Sequence, residues 1–235
     1  QCPTSLLAMV DASVGGKVGV NVLQGKNLIG AFHQPHAVII DPLVLRTLGE
    51  RERRCGLAEC VKHGVIRDAG LFDWIAEQVD AIHALDPEVM VELLRRNVEI
   101  KAKVVMADEK ESGERAHLNF GHTFAHAIEA TAGYGEIAHG EAVGLGMIAA
   151  ARLAADLGRC ETSVADRIVD LLDAVGLPTT ADLAETGALM AAMRHDKKVK
   201  DARIRLILPD RLGAVSIVTD VDEAAIAGAW AAIRR

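Results

Sequence analysis

The pattern of apolar residues changes near residue 48, and this change constrains the fold more than any other feature of the chain. Residues 1–48 are rich in glycine and β-branched residues, whereas from Glu50 onward apolar residues recur at spacings of three and four, the period of an amphipathic helix. We therefore expect an α/β remnant over residues 1–48 and a mainly α-helical unit over residues 49–235. The periodicity predicts helices over residues 51–66, 70–79, 88–107, 122–133, 139–157, 163–175 and 222–234.

The helical unit also carries signals for helix ends and for one small β-hairpin. Asp86 followed by Pro87 is typical of a helix start, and Gly176 should end the helix before it. Two runs of apolar and β-branched residues, 204–208 and 215–218, flank a turn at 209–213 and predict the hairpin.

The first unit has too few predicted strands to form a sheet. Residues 37–40 are predicted to form a buried strand, residues 5–14 a short helix, and residues 17–21 an extended segment. Because one strand cannot bury both of its faces, we expect further strands upstream of Gln1, or a second chain, to cover it.

Composition excludes several classes of protein. The net charge is −7 and the pI about 5.7, which argues against a general attraction to nucleic acid or to anionic lipid, although a local basic site is compatible with it. No apolar run approaches the ~18 residues that a membrane helix needs. The four cysteines show no CxxC spacing, which favours reduced thiols in a cytoplasmic protein over a zinc-thiolate site.

Three histidines lie close together in the sequence and form a candidate metal site. His122 and His126 stand four residues apart on a predicted helix and share a face, and His139 begins the next predicted helix. Imidazole is a common ligand of zinc, and a carboxylate would complete a three-ligand catalytic site whose fourth position is open to substrate. Taken singly, each histidine is more often a partly exposed or hydrogen-bonded helix residue, and spacing does not identify the carboxylate.

Glu59 and Lys62 form a second candidate pair in the segment GLAECVKHGV. They lie three residues apart, so they share a helix face bordered by small and apolar residues. A buried glutamate must be paired or bind a metal, but by spacing alone an exposed ion pair is the favoured interpretation.

Glycines precede two lysines in the first unit. Lys17 follows two glycines, and Lys26 with Asn27 follows Gly25. Such loops can bind a phosphate or carboxylate through backbone N–H groups and the lysine charge. A solvated glycine turn explains the pattern equally well.

A charge-dense stretch, residues 101–122, leads directly into Asn119 and His122. Most such stretches are solvated surfaces. The basic patch around Lys197 is by itself only a weak indication of a binding site.

Taken together, these segments resemble the 3-dehydroquinate synthase family. The resemblance covers nearly the whole chain, and the motifs are long and specific. They are PTSLLAMVDASVGGKVGVN at 3–21, GKNLIGAFHQP at 25–35, GLAECVKHG at 56–64, DEKESGERAHLNFGHTFAHAIEA at 108–130, HGEAVGLGM at 139–147 and DKK at 196–198.

The resemblance implies a role for each of several residues. Glu59, His122 and His139 would be the metal ligands, with zinc expected and cobalt an alternative, while His126, Glu111 and Lys62 would be catalytic. The implied substrate-binding residues are Asp11, Lys17, Asn27, Lys62, Lys101, Arg115, Asn119 and Lys197. The implied NAD contacts on this part of the protein are Thr4, Ser5, Lys26, Val44 and Thr47.

The family implies a lyase of the shikimate pathway, which makes the precursors of aromatic amino acids. Its members convert 3-deoxy-D-arabino-heptulosonate 7-phosphate to 3-dehydroquinate and phosphate, using NAD transiently and a divalent metal, and a homodimer is expected. The family's dinucleotide-binding glycine turn is not in this sequence, so we expect the 235-residue chain alone to bind NAD poorly and to have little activity.

Other functions remain open at this stage. The chain could be another sugar-phosphate cyclase, such as a 2-deoxy-scyllo-inosose or 2-epi-5-epi-valiolone synthase, or a non-catalytic remnant. An iron-type alcohol dehydrogenase would not explain the motifs SVGGK and GKNLIGAF.

Overall fold

A computed structural model describes residues 1–22, 25–109, 113–133, 136–196 and 204–235 of the chain, without side chains for 21–22, 25–28 and 195–196. Most of the described residues are helical, as the periodicity predicts. The helices are α1 Glu50–Arg67, α2 Ala69–Glu77, α3 Val79–His83, α4 Pro87–Ala107, α5 His122–Ala132, α6 His139–Asp156, α7 Thr162–Ala174, α8 Thr186–Asp196 and α9 Glu223–Ala229. Within these ranges no helix has both the length and the apolar character needed to cross a membrane.

The predicted helix ends are confirmed where the sequence contains a cap. The Asp86 carboxylate accepts hydrogen bonds from the N–H groups of Glu88 at 3.0 Å and Val89 at 3.1 Å, and Pro87 is the first residue of α4. Gly176 has a φ of 80° two residues after the end of α7, a conformation that glycine adopts without strain. The helices α3 and α8 are not among those that the periodicity predicts.

Helix α6 lies at the centre of the helical unit and packs against α1, α5 and α7. Two of its glycines permit backbone-to-backbone contact. A Cβ on Gly140 would lie 2.3 Å from Cα of Cys55 in α1, and a Cβ on Gly146 would lie 2.1 Å from the carbonyl oxygen of Gly121. This close packing brings the beginnings of α5 and α6 to the middle of α1.

The first unit differs from its prediction in one important respect. Its helical turn is present, with a π-helix over Ala8–Ala12, and two short strands, β1 Val20–Val22 and β2 Gly25–Ile29, pair antiparallel. The strand predicted at residues 37–40 is wrong: the segment is irregular and Ile39 is 67% exposed. In the described chain, the backbone of this segment forms hydrogen bonds with Gln1. A single residue is too short to pair with it as a strand.

The predicted hairpin is confirmed, with a tighter turn. Strands β3 Leu206–Arg211 and β4 Ala214–Val218 pair antiparallel, with Leu206 opposite Val218. The strands continue through the stretch predicted as a five-residue turn, and the reversal occurs near Gly213, whose φ is 82°.

Candidate functional site

Glu59, His122 and His139 converge although they lie on three different helices. Glu59 is in the middle of α1, His122 is the first residue of α5, and His139 is the first residue of α6. Oε1 of Glu59 lies 3.7 Å from Nε2 of His122 and 3.9 Å from Nε2 of His139. Ligand atoms around a tetrahedral zinc ion lie about 3.4 Å apart, so a small contraction lets the three atoms bind one ion.

Hydrogen bonds at the opposite side of each ring orient the two imidazoles. Nδ1 of His122 lies 3.1 Å from the carbonyl oxygen of Phe120, and Nδ1 of His139 lies 3.0 Å from Oε1 of Glu129. Because a carbonyl or carboxylate oxygen only accepts, Nδ1 carries the proton in each ring. In the neutral form of each ring the lone pair is therefore on Nε2, on the side of Glu59.

The carboxylate of Glu59 is fully buried and fits a cation. Lys62 forms an ion pair with Oε2, and both side chains are withdrawn from solvent. Neither oxygen of Glu59 accepts a well-formed hydrogen bond from the described residues. Leaving buried carboxylate oxygens without hydrogen bonds is costly, and a bound cation would offset that cost. The interpretation of Glu59 and Lys62 as an exposed pair is wrong, because neighbouring helices cover this face of α1.

Burial and charge act differently on the two histidines. Burial, followed by the positive charge of Lys62, lowers the pKa of His122 well below its usual value of 6.5, which favours the neutral imidazole that binds metals. Burial also acts to lower the pKa of His139, but the hydrogen bond with Glu129 and the charge of Glu59 outweigh it, so this pKa is raised.

His126 lies beside this cluster. Its ring centre is 5.7 Å from that of His122, with the two rings nearly perpendicular. The side chain is half-buried and one helical turn along α5. His126 is thus placed to contact a molecule bound next to the triad of Glu59, His122 and His139.

A second group of charges adjoins Glu59. Nζ of Lys101 donates to the carboxylate of Asp11 at 2.6 Å, and the positive charges of Lys101 and Lys62 hold the pKa of Asp11 far below its usual range despite burial. Burial lowers the pKa of Lys101 itself. Asp11, Glu59 and His63 also bring ligand atoms within 4.8 Å of one another, but the two lysines already supply the positive charge there.

Arg115 is held by the backbone. Its guanidinium donates to the carbonyl oxygens of Glu109 at 2.6 Å and Gly15 at 2.7 Å, and it is almost completely buried. Asn119 ends the 3₁₀ helix Glu114–Asn119 and is half-buried, and Lys17 is exposed. Arg115 thus connects the glycine turn at Gly15 to the segment that precedes His122.

The remaining site residues of the sequence analysis are spread over the first unit or lie outside the described part. Thr4 and Thr47 are exposed, whereas Ser5 and Val44 are half-buried. The Ser5 hydroxyl accepts from Ala8 N–H at 3.3 Å, and the Thr47 hydroxyl donates to the Val44 carbonyl at 3.0 Å. Glu111 and Lys197 lie outside the described residues, as do the side chains of Lys26 and Asn27, although their backbone forms β2.

Sequence reasoning missed a buried polar pair next to the site, His63 and Asn97. Asn97 donates to the Leu93 carbonyl at 2.7 Å, so its Oδ1, 2.9 Å from Nδ1 of His63, accepts from that ring. Nε2 of His63 has no partner among the described residues. Burial and the charge of Lys62 lower the pKa of His63 to about 4.

This pKa makes a testable contribution to stability. Between about pH 6.5 and pH 4 the unfolded chain binds the His63 proton and the folded chain does not, so stability falls as pH is lowered through this window, by up to about 3 kcal/mol. In His63→Asn, which keeps a donor for Asn97, this part of the pH dependence should disappear. Urea unfolding of both proteins from pH 4.5 to 7 measures the difference, and equal slopes would contradict the assignment.

Comparisons with known proteins agree across sequence and structure. The model of the 3-dehydroquinate synthase C-terminal region matches residues 56–199, and that of the N-terminal region matches residues 1–55. The 3-dehydroquinate synthase of Synechocystis sp. is 53% identical over 228 residues, covering 94% of this chain and 63% of its own length. That of Rhodopirellula baltica is 47% identical over 235 residues, covering 100% of this chain and 63% of its own length.

Solved structures show the same relationship. The 2-epi-5-epi-valiolone synthase of Streptomyces hygroscopicus, with NAD⁺ and Zn²⁺ bound, aligns with a TM-score of 0.89 and 31% identity over 97% of this chain and 64% of its own. A 2-deoxy-scyllo-inosose synthase complexed with carbaglucose-6-phosphate, NAD⁺ and Co²⁺ aligns with a TM-score of 0.87 and 25% identity, over 97% and 65%. The chain therefore spans less than two thirds of the length of these relatives.

Proposed function

The chain belongs to the 3-dehydroquinate synthase family, and we propose that it forms the metal- and substrate-binding part of an enzyme that converts 3-deoxy-D-arabino-heptulosonate 7-phosphate to 3-dehydroquinate and phosphate. The convergence of Glu59, His122 and His139 is the observation that carries this proposal. The relatives named 3-dehydroquinate synthase are longer than this chain, so we propose the activity for the whole protein.

Glu59, His122 and His139 would hold the divalent ion, zinc or cobalt, and their donor set of two imidazoles and one carboxylate suits either. A bound ion supplies Lewis-acid polarisation of an alcohol or carbonyl oxygen. The protein buries Glu59 and Lys62 fully, which strengthens the charge interaction between them.

The neighbouring side chains suit an anionic substrate. Lys62 and Lys101 place two ammonium groups next to Asp11, and such groups bind phosphate or carboxylate. We assign substrate binding also to Lys17, Asn27, Arg115, Asn119 and Lys197. His126, half-buried beside His122, would hold or move a proton on the bound sugar, together with Glu111.

NAD would contact the first unit. The residues assigned to it are Thr4, Ser5, Lys26, Val44 and Thr47, of which Thr4 and Thr47 are exposed and accessible to a nucleotide. The cofactor would supply hydride transfer, and the protein would orient it. A homodimer and a cytoplasmic location are proposed from the family resemblance alone.

Two alternatives lead to different results in one experiment. A related cyclase would prefer glucose 6-phosphate or sedoheptulose 7-phosphate, which lack the carboxylate of the heptulosonate. A non-catalytic remnant would bind none of them, but it gives no reason for a fully buried Glu59 whose oxygens accept no well-formed hydrogen bond from the described residues.

Titration calorimetry of the zinc-loaded chain with the three sugar phosphates separates these alternatives. We expect the heptulosonate phosphate to bind at least about tenfold more tightly, since its carboxylate gains a charge-assisted contact worth about 1.4 kcal/mol or more. A preference for either sugar phosphate without a carboxylate would overturn the proposed substrate, and absence of binding would overturn the enzymatic function.

A further inference from the structure

We infer that Glu129 is a positioning residue of the metal centre, which orients His139 and strengthens its bond to the ion. The inference rests on the proposed function, because it assumes that an ion binds between Glu59, His122 and His139.

The geometry of the contact is specific. Oε1 of Glu129 lies 3.0 Å from Nδ1 of His139, and the two residues are ten positions apart on successive helices, α5 and α6. Glu129 is only 11% exposed, so solvent competes little for its carboxylate. The bond therefore connects the second half of α5 to the first residue of α6.

His139 needs such a support more than His122 does. It begins its helix and is 36% exposed, whereas His122 is 14% exposed. The ring of His122 is held by a carbonyl two residues earlier in the chain, a local and neutral acceptor. The ring of His139 is held by an ionised side chain from another helix, and without it the imidazole could rotate away from Glu59.

A carboxylate acceptor also changes the chemistry of the ligand. When Nδ1–H donates to a carboxylate, electron density on Nε2 increases and the imidazole becomes a stronger ligand. Glu129 also adds a second negative charge near the ion, where Lys62 offsets part of the charge of Glu59.

Glu129 does not act as a ligand itself. It contacts Nδ1, and in His139 the lone pair that faces Glu59 is on Nε2, at the other side of the ring. A single ion between Nε2 and Glu59 is therefore out of reach of the Glu129 carboxylate.

Metal affinity of the full 235-residue chain tests this inference. Zn²⁺ dissociation constants are measured by competition with a chromophoric chelator, and the visible absorption spectrum of the Co²⁺ form reports the ligand geometry. We expect Glu129→Ala to weaken Zn²⁺ binding by about 10- to 100-fold and to alter the Co²⁺ spectrum. Glu129→Gln, which keeps a neutral acceptor, should fall between Glu129→Ala and the unchanged chain. Glu136→Gln, an exposed residue of the same connection, is the matched control and should bind as the unchanged chain does.

The outcomes distinguish this inference from the proposed function. If Zn²⁺ binding by the unchanged chain is insensitive to Glu59→Gln and His139→Ala, the proposed function fails. If those two variants lose the ion but Glu129→Ala retains full affinity and the same Co²⁺ spectrum, only the role of Glu129 is overturned. Should Glu129→Ala not fold by circular dichroism, Glu129→Gln decides: weakened binding supports the inference, and unchanged affinity and spectrum overturn it.

Discussion

Glu59→Gln is expected to lower the affinity of the chain for Zn²⁺ by more than about 100-fold, a larger loss than for an outer partner such as Glu129. The substitution removes the one carboxylate of the triad and its charge while keeping its shape. It also leaves the buried ammonium of Lys62 without its partner, which should destabilise the metal-free chain by about 3 kcal/mol. Chelator competition and urea unfolding measure the two effects separately.

Two further proteins make this experiment decisive. Glu52→Gln, the same change at an exposed position of α1, should alter neither property. In the double variant Glu59→Gln with Lys62→Met, the unpaired charge is gone, so stability should recover while metal binding does not. Recovery of both, or retention of metal by Glu59→Gln alone, would contradict the role given to Glu59.

Gly146→Ala is expected to destabilise the protein by about 3 kcal/mol or more. Its Cβ would lie 2.1 Å from the carbonyl oxygen of Gly121, a backbone atom that cannot move away without displacing the beginning of α5. Gly121 directly precedes His122 and has a φ of 79°, so the displacement reaches a proposed ligand. Zn²⁺ affinity should therefore fall together with stability.

Gly144→Ala on the same helix is the matched control. A Cβ there meets side-chain atoms of Leu172 and Leu177 at an ordinary 3.7 Å, and alanine has a higher helix propensity than glycine. Its stability should be unchanged or up to about 1 kcal/mol higher. Thermal and urea unfolding of the two variants give the comparison; equal effects would show that the contact of α6 with α5 is not as close as described.

Most of the helices follow from local sequence signals. Apolar spacing locates α1, α4, α5, α6 and α7 to within about one residue, and several of these helices have glycine, proline or aspartate at an end. The segment at 37–40 shows the limit of this reasoning. Its apolar residues are typical of a buried strand, but a strand forms only beside another, and spacing within one segment cannot supply the partner.

Residue spacing predicts the candidate site less well than it predicts the fold. His122 and His126 are neighbours on one helix, yet the structure groups His122 with His139 and with Glu59, more than sixty residues earlier. Spacing could not identify Glu59, because the burial of its side of α1 depends on a tertiary contact. Helix α6 packs onto α1 through Gly140. The bond between Glu129 and His139 likewise depends on the angle at which α5 and α6 meet.

X-ray absorption at the zinc edge of the zinc-loaded chain tests the central claim most directly. Convergence of Glu59, His122 and His139 predicts two imidazole nitrogens at about 2.0–2.1 Å and a carboxylate oxygen at about 2.0–2.2 Å from the zinc ion. The double variant Glu59→Gln with His122→Ala should lose this set of ligands. A sulfur shell at about 2.3 Å, or a first shell without imidazole, would contradict it.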